Sequence, residues 1–164
     1  MADLRLRAYG AAAAIFALDR ITKLLVDAGV SDYATYRIIP GVFDIVRSEN
    51  RGVAFGILNN SASQWRTIAL IVASLVAVIA IAVALWRSPA MDRVSAWALA
   101  LILGGAAGNL YDRAILGRVT DFIQVYLGSY AWPTFNIADS AIVIGSGLLL
   151  LSQMKPKRQP ANVP

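Results

Sequence analysis

The sequence contains no cysteine and no histidine. The first absence excludes a disulfide framework, a thiol nucleophile and a thiolate metal site. The second excludes a Ser-His-Asp triad and a His-built zinc site. Any catalysis therefore falls to carboxylates, Lys, Ser, Tyr or Arg. Charge is scarce as well: charged residues fill 15% of the 164 positions, against 58% hydrophobic, and the mean hydropathy is +0.61. A soluble domain carries about 25% charged residues, so this composition points to a membrane. There is no internal repeat and no low-complexity linker, and the length suits one domain.

What the chain does have is four apolar segments, at about residues 8–26, 67–86, 95–111 and 136–152. At about 1.5 Å per residue each reaches, or nearly reaches, across a hydrocarbon core of about 30 Å. The second, TIALIVASLVAVIAIAVALW, holds no charge at all. Arg5 and Arg7 precede the first, as in a cleavable leader. No small-x-small site follows, however, and LDRITKLLV continues the helical pattern, so the segment reads as a retained span. The net charge of +5 follows topology instead of forming a nucleic-acid patch. Arg5, Arg7, Arg87, Arg93, Lys155, Lys157 and Arg158 crowd three short segments, whereas Arg37, Arg47, Arg51, Arg66, Arg113 and Arg118 are spread over two long loops. The positive-inside rule puts the crowded side in the cytoplasm.

The expectation is a single mainly α membrane domain, 1–164, with four transmembrane helices and both termini cytoplasmic. Loops 27–66 and 112–135 then face outward, and 153–164 is a solvated basic tail. YRIIPGVFDIVRSENRGVAFGIL has strand character with a turn at Pro40-Gly41, and VTDFIQVYLGSYAWPTFN alternates around a turn at Gly128-Ser129. A small outer sheet should rest on the bundle at the headgroup level, because open sheet edges cannot face lipid. NNSASQWR reads as a short interfacial helix or turn, with Trp65 as an anchor.

Asp139 sits where the last segment enters hydrocarbon, a costly place for a carboxylate. One reading is a cap: Asn136 starts the helix, and the acid three residues on favours its positive end. The other reading pairs it with Asp121 of VTDFIQV, itself either an exposed strand position or a site acid. A strand going out and returning brings these two acids together at the membrane face. Asp19 and Lys23 stand four apart and read as an ion pair near the outer end of the first span. Gly104 and Gly108 have small-xxx-small spacing, suited to a close helix contact. Asn109 and Arg113 continue one helical face outward, Asn50 lies in a loop of turn character, and Asp112 reads as a solvated charge outside any site.

RSENRGVAFGIL, GGAAGNLYDRAILGRVTDFI and FNIADSAI, in that order between four spans and with LDRITK in the first, resemble lipoprotein signal peptidase (signal peptidase II). The resemblance implies a four-helix bacterial inner-membrane protein with an outer, periplasmic β-cradle. It implies that Asp121 and Asp139 are the catalytic aspartates, that Asn50, Asn109, Arg113 and Asn136 line the site, and that Asp19 and Lys23 are the supporting first-helix pair. The implied substrate is a diacylglyceryl-modified prolipoprotein held in membrane lipid and cut just before its lipidated cysteine. The antibiotic globomycin is the implied inhibitor, and no cofactor or metal is called for. The inventory agrees, since two close carboxylates share one proton and so supply both a base and an acid. Two rival readings are a small proton- or ion-coupled transporter and a hydrolase with Ser140 as nucleophile and Lys23 as base.

Overall fold

The computed structural model describes residues 2–32, 34–51, 64–88 and 91–154. Four helices carry it: α1 (Ala2–Gly29), α2 (Gln64–Arg87), α3 (Arg93–Tyr111) and α4 (Ile137–Gln153). Each occupies one of the apolar segments; α1 and α2 extend at both ends, α3 at its start, and α4 is shifted by one residue. α1 runs through an alanine stretch of high helix propensity. The α3 start is set by Asp92, whose side chain accepts from the backbone N–H groups of Val94 (3.0 Å) and Ser95 (3.1 Å). Beyond Tyr111 the helix widens into a π turn, Asp112–Leu116, and stops at Gly117 with φ +68°.

α3 is the central helix, packed on α1, α2 and α4. Small residues let the backbones approach. A Cβ on Gly104 would fall 2.5 Å from the Ala12 carbonyl of α1, and one on Gly105 would collide with the Ala138 carbonyl of α4. The expected contact is present at Gly104 and Gly108, both against α1, and Gly105, which the spacing did not single out, adds the close approach to α4. Ala8, Ala12, Ala96 and Ala100 fill the core with Leu85, Leu99 and Leu103. Outside, the pattern inverts. Val72, Val76, Ile79 and Val83 of the uncharged α2 are exposed, which suits lipid and not water. Thr67–Arg87 and Arg93–Leu116 are long and apolar enough to cross a membrane, and Ile137–Gln153 is a shorter apolar helix.

At one end of the bundle lies an antiparallel sheet of order β1-β2-β3-β4: β1 (Tyr36–Ile39), β2 (Phe43–Asn50), β3 (Val119–Leu127) and β4 (Tyr130–Ala131). Gly41 (φ +74°) and Gly128 (φ +64°) make the two turns, where the sequence puts them. β3 also bridges Phe135 through Ile123, which ties the sheet to the start of α4. The β2–β3 register slips once. Ile45 faces Ile123, but Ser48 faces Asp121 and Asn50 faces Val119, so β2 carries one extra residue. Simple alternation from Asp44 would send Asn50 to the opposite face of the sheet. The bulge returns it to the face of Asp121. Residues 52–63, with the VAFGIL and NNSAS stretches, lie outside the described residues. Trp65 stands exposed in the first turn of α2.

Candidate active site

The site assembles where the ends of α1, α3 and α4 meet the sheet. Asn136 is its hub. Its side-chain oxygen accepts the Asp139 backbone N–H (2.9 Å), and Asp139 Oδ2 accepts the Asn136 backbone N–H (3.3 Å), a full capping box. The same Asn136 donates through Nδ2 to Asp121 Oδ1 at 2.7 Å and to Asn109 Oδ1 at 3.3 Å. Capping and site geometry are therefore not alternatives. One asparagine does both, and it brings the two acids together.

Each carboxylate is held at both oxygens. Asp121 accepts from Asn136 and, through Oδ2, from Asn50 Nδ2 at 3.0 Å. Asp139 accepts from the Asn136 backbone and, through Oδ1, from Asn109 Nδ2 at 2.8 Å. Burial pushes the Asp121 carboxyl up to about 6. The Asn50 hydrogen bond opposes that rise, the nearby Asp139 charge adds to it, and Asn136 and Lys23 oppose it further. Asn50, Arg113, Asp121 and Asp139 line one cavity of about 580 Å³ whose remaining wall includes Trp132, Phe135, Ile142 and Val143. The Arg113 guanidinium donates to the Asn109 carbonyl at 3.3 Å.

Behind this cavity the first-helix pair is present and fully buried. Lys23 Nζ donates to Asp19 Oδ2 (2.7 Å) and to Asn109 Oδ1 (3.0 Å). Asp19 Oδ1 accepts the Ala138 backbone N–H at 3.0 Å, an anion at the start of α4. All eight residues singled out from the sequence, Asn50, Asn109, Arg113, Asp121, Asn136, Asp139, Asp19 and Lys23, thus join one connected cluster.

Asp112 corrects the sequence reading. It is not a solvated charge: it is fully buried, with Oδ2 2.6 Å from Lys23 Nζ, in charge contact without hydrogen-bond alignment, and Oδ1 paired with Arg20. Helical spacing from Gly108 and Asn109 puts Asp112 on the face turned to α1, but only the approach of α1 buries it. The only signal was a second acid one turn beyond Asn109, facing an unmatched Arg20 on the first helix. Ser140 donates its hydroxyl to the Asn136 carbonyl at 2.9 Å, and Lys23 is occupied by Asp19, Asn109 and Asp112. A Ser-Lys pair has no geometric support.

The family model described as Signal peptidase (SPase) II matches residues 11–155. The chain is 63% identical over 163 residues to the lipoprotein signal peptidase of Solibacter usitatus, covering 99% of each. It is 43% identical over 152 residues to that of Nitratidesulfovibrio vulgaris, covering 93% of this chain and 90% of the relative. A solved bacterial membrane enzyme superposes with a TM-score of 0.84 at 26% identity, over 96% of this chain and 94% of the other. This chain belongs to the signal peptidase II family of membrane peptidases.

Proposed function

We propose that the chain removes the signal peptide from diacylglyceryl-modified prolipoproteins by aspartyl catalysis at Asp121 and Asp139. The observation that carries the mechanism is two carboxylates on one cavity, joined through Asn136, with Asp121 holding its proton up to about 6. Asp139, at the positive end of α4, is the base. It takes a proton from water as the water oxygen bonds to the scissile carbonyl carbon, while Asp121 gives its proton to the carbonyl oxygen. Collapse of the tetrahedral diol breaks the C–N bond: Asp139 passes its proton to the leaving amine, and a diol hydroxyl returns its proton to Asp121. The products are the signal peptide with a new carboxylate and a lipoprotein whose first residue is the lipidated cysteine with a free amino group. Arg113 and the Asn50 amide, both on the cavity wall, hold the substrate backbone and the developing oxyanion.

The four helices are four spans of the bacterial inner membrane. Both termini are cytoplasmic and the sheet is periplasmic, a topology supported by the crowding of basic residues on one side. The apolar wall of Ile142 and Val143 suits a substrate that arrives as a membrane helix bearing lipid. Family membership gives the transporter reading no support. The test is incubation of the purified protein in detergent with a diacylglyceryl-modified precursor. Cleavage just before the lipidated cysteine, blocked by globomycin, is the expected result; an uncut precursor under conditions where the protein is folded would refute it.

A further inference from the structure

Four charged side chains of this site lie off the cavity wall: Asp19, Lys23 and Asp112 are fully buried, and the Arg20 side chain is 14% exposed. Their arrangement has a consequence for the acids. Lys23 brings its ammonium to three acceptors, Asp19 Oδ2, Asn109 Oδ1 and Asp112 Oδ2. An asparagine amide can present either end. A cation on the oxygen fixes which one, so the Asn109 nitrogen is left facing Asp139 Oδ1, to which it donates at 2.8 Å. Reversed, the amide would set oxygen against carboxylate. Asn136 Nδ2 also donates to the same Asn109 oxygen, so that orientation reaches the Asp121 partner too.

We propose that Asp112 is a positioning residue of the peptidase reaction: with Arg20 it holds the Lys23 ammonium on Asn109, which fixes the donor that Asp139 receives. Asp112 also sits at the α-to-π junction, its backbone N–H donating to the Asn109 and Gly108 carbonyls, one residue before Arg113 enters the cavity. Loss of its carboxylate therefore disturbs both the amide and the guanidinium. The inference rests on the aspartyl reading above.

Charge gives the idea a signed test. Two cations act on the acid pair directly, Lys23 from α1 on Asp121 and Arg113 from the end of α3 on both acids, while Asp19, Arg20 and Asp112 form the charged shell around Lys23. Lys23 draws the Asp121 carboxyl toward ionisation. Removing Asp112 exposes more of that positive charge to the pair, and removing Lys23 takes it away. Asp112→Asn, which keeps the shape, should lower kcat about 10- to 100-fold, the cost of a small misplacement, with KM changed little. Its alkaline limb of kcat/KM should move to lower pH. Lys23→Met and the rim variant Arg20→Gln should move that limb to higher pH. Asp32→Asn, the same charge change on an exposed outer side chain, should move nothing.

All variants are assayed as full-length protein in detergent on lipidated precursor, with thermal unfolding recorded in parallel. Wild-type cleavage and its loss in Asp139→Asn establish the aspartyl reading separately. A folded Asp112→Asn enzyme with wild-type kcat and an unshifted limb overturns the positioning role. So does a limb that moves the same way in Asp112→Asn and Lys23→Met. If Asp112→Asn does not fold, Arg20→Gln carries the decision: an upward shift supports the proposal and an unchanged profile overturns it.

Discussion

At the scale of single residues the site is a chain of amides between two acids, and its reactivity is set by where a proton rests. Asn is nearly isosteric with Asp but neither acts as a base nor carries the exchanged proton. Asp121→Asn and Asp139→Asn should each lower turnover by about 10⁴-fold, the upper part of the range for acid–base catalysis, because losing one acid disables both transfers. The double variant should be scarcely worse than either single one, since residues acting as a unit are not additive. Steady-state kinetics on lipidated precursor, with membrane insertion checked by fractionation, decides this. The Asp121 proton adds a pH signature. Burial holds it up to about 6, so below that pH the acid is present, and kcat/KM should fall as pH rises through it. Substrate expels more water and disfavours the anion further, so the corresponding limb in kcat should lie at higher pH. The gathering of the two acids was legible in FNIADS and VTDF, because a carboxylate at the edge of hydrocarbon needs a reason. Asp112 was read wrongly: its burial depends on the approach of α1, and its spacing from Asn109 is the one trace of that in the sequence.

At the scale of elements, the hydropathy pattern is enough for the four helices, and positive-φ glycines are enough for the two hairpin turns. The β2 bulge escaped, since it is a property of pairing between strands and leaves FDIVRSEN an ordinary strand by composition. It has a measurable consequence. Inserting one residue after Ser48 should undo that phase and turn Asn50 to the face opposite Asp121, removing one of the two donors on that carboxylate. Turnover should then fall as in Asn50→Ala, while Ser48→Ala, a substitution that preserves the register, should retain activity. Equal activity of the insertion and wild type would show that the register is not needed. The small-residue contact of α3 predicts a second effect. A Cβ on Gly108 would fall 2.5 Å from Asp19 Oδ2, with the Ala138 side chain beyond it. Gly108→Ala should push Asp19 off the Ala138 N–H and destabilise the protein by about 1–3 kcal/mol, read as a lower unfolding temperature in detergent. Gly10 has open space at the same position on α1, and Gly10→Ala should cost nothing.

At the scale of the molecule, an inverted surface and a polar cluster at one end set the relation to the membrane. The exposed Val72, Val76, Ile79 and Val83 of α2 require lipid around the middle, and the acids then lie at the level where the bundle meets the sheet. The direction of that end follows from charge, not from shape. Alkaline phosphatase fused after Ser61 or Tyr130 should be active, and fused after Met91 or at the C-terminus inactive. An active C-terminal fusion would put the acids on the wrong side. With that orientation the substrate's own anchor becomes part of catalysis. A signal helix alone can slide along the bundle normal, and its scissile bond samples many depths. A diacylglyceryl group on the residue just after that bond fixes it at the interface, beside the apolar wall of Ile142 and Val143, so fewer arrangements separate binding from attack. Lipidation should therefore raise kcat/KM strongly, and most of the gain should survive shortening of the acyl chains to a length that still reaches hydrocarbon. Competing lipidated and unlipidated forms of one precursor in the same micelles measures this directly. Equal cleavage rates would mean that the lipid is carried through the reaction and not used by it.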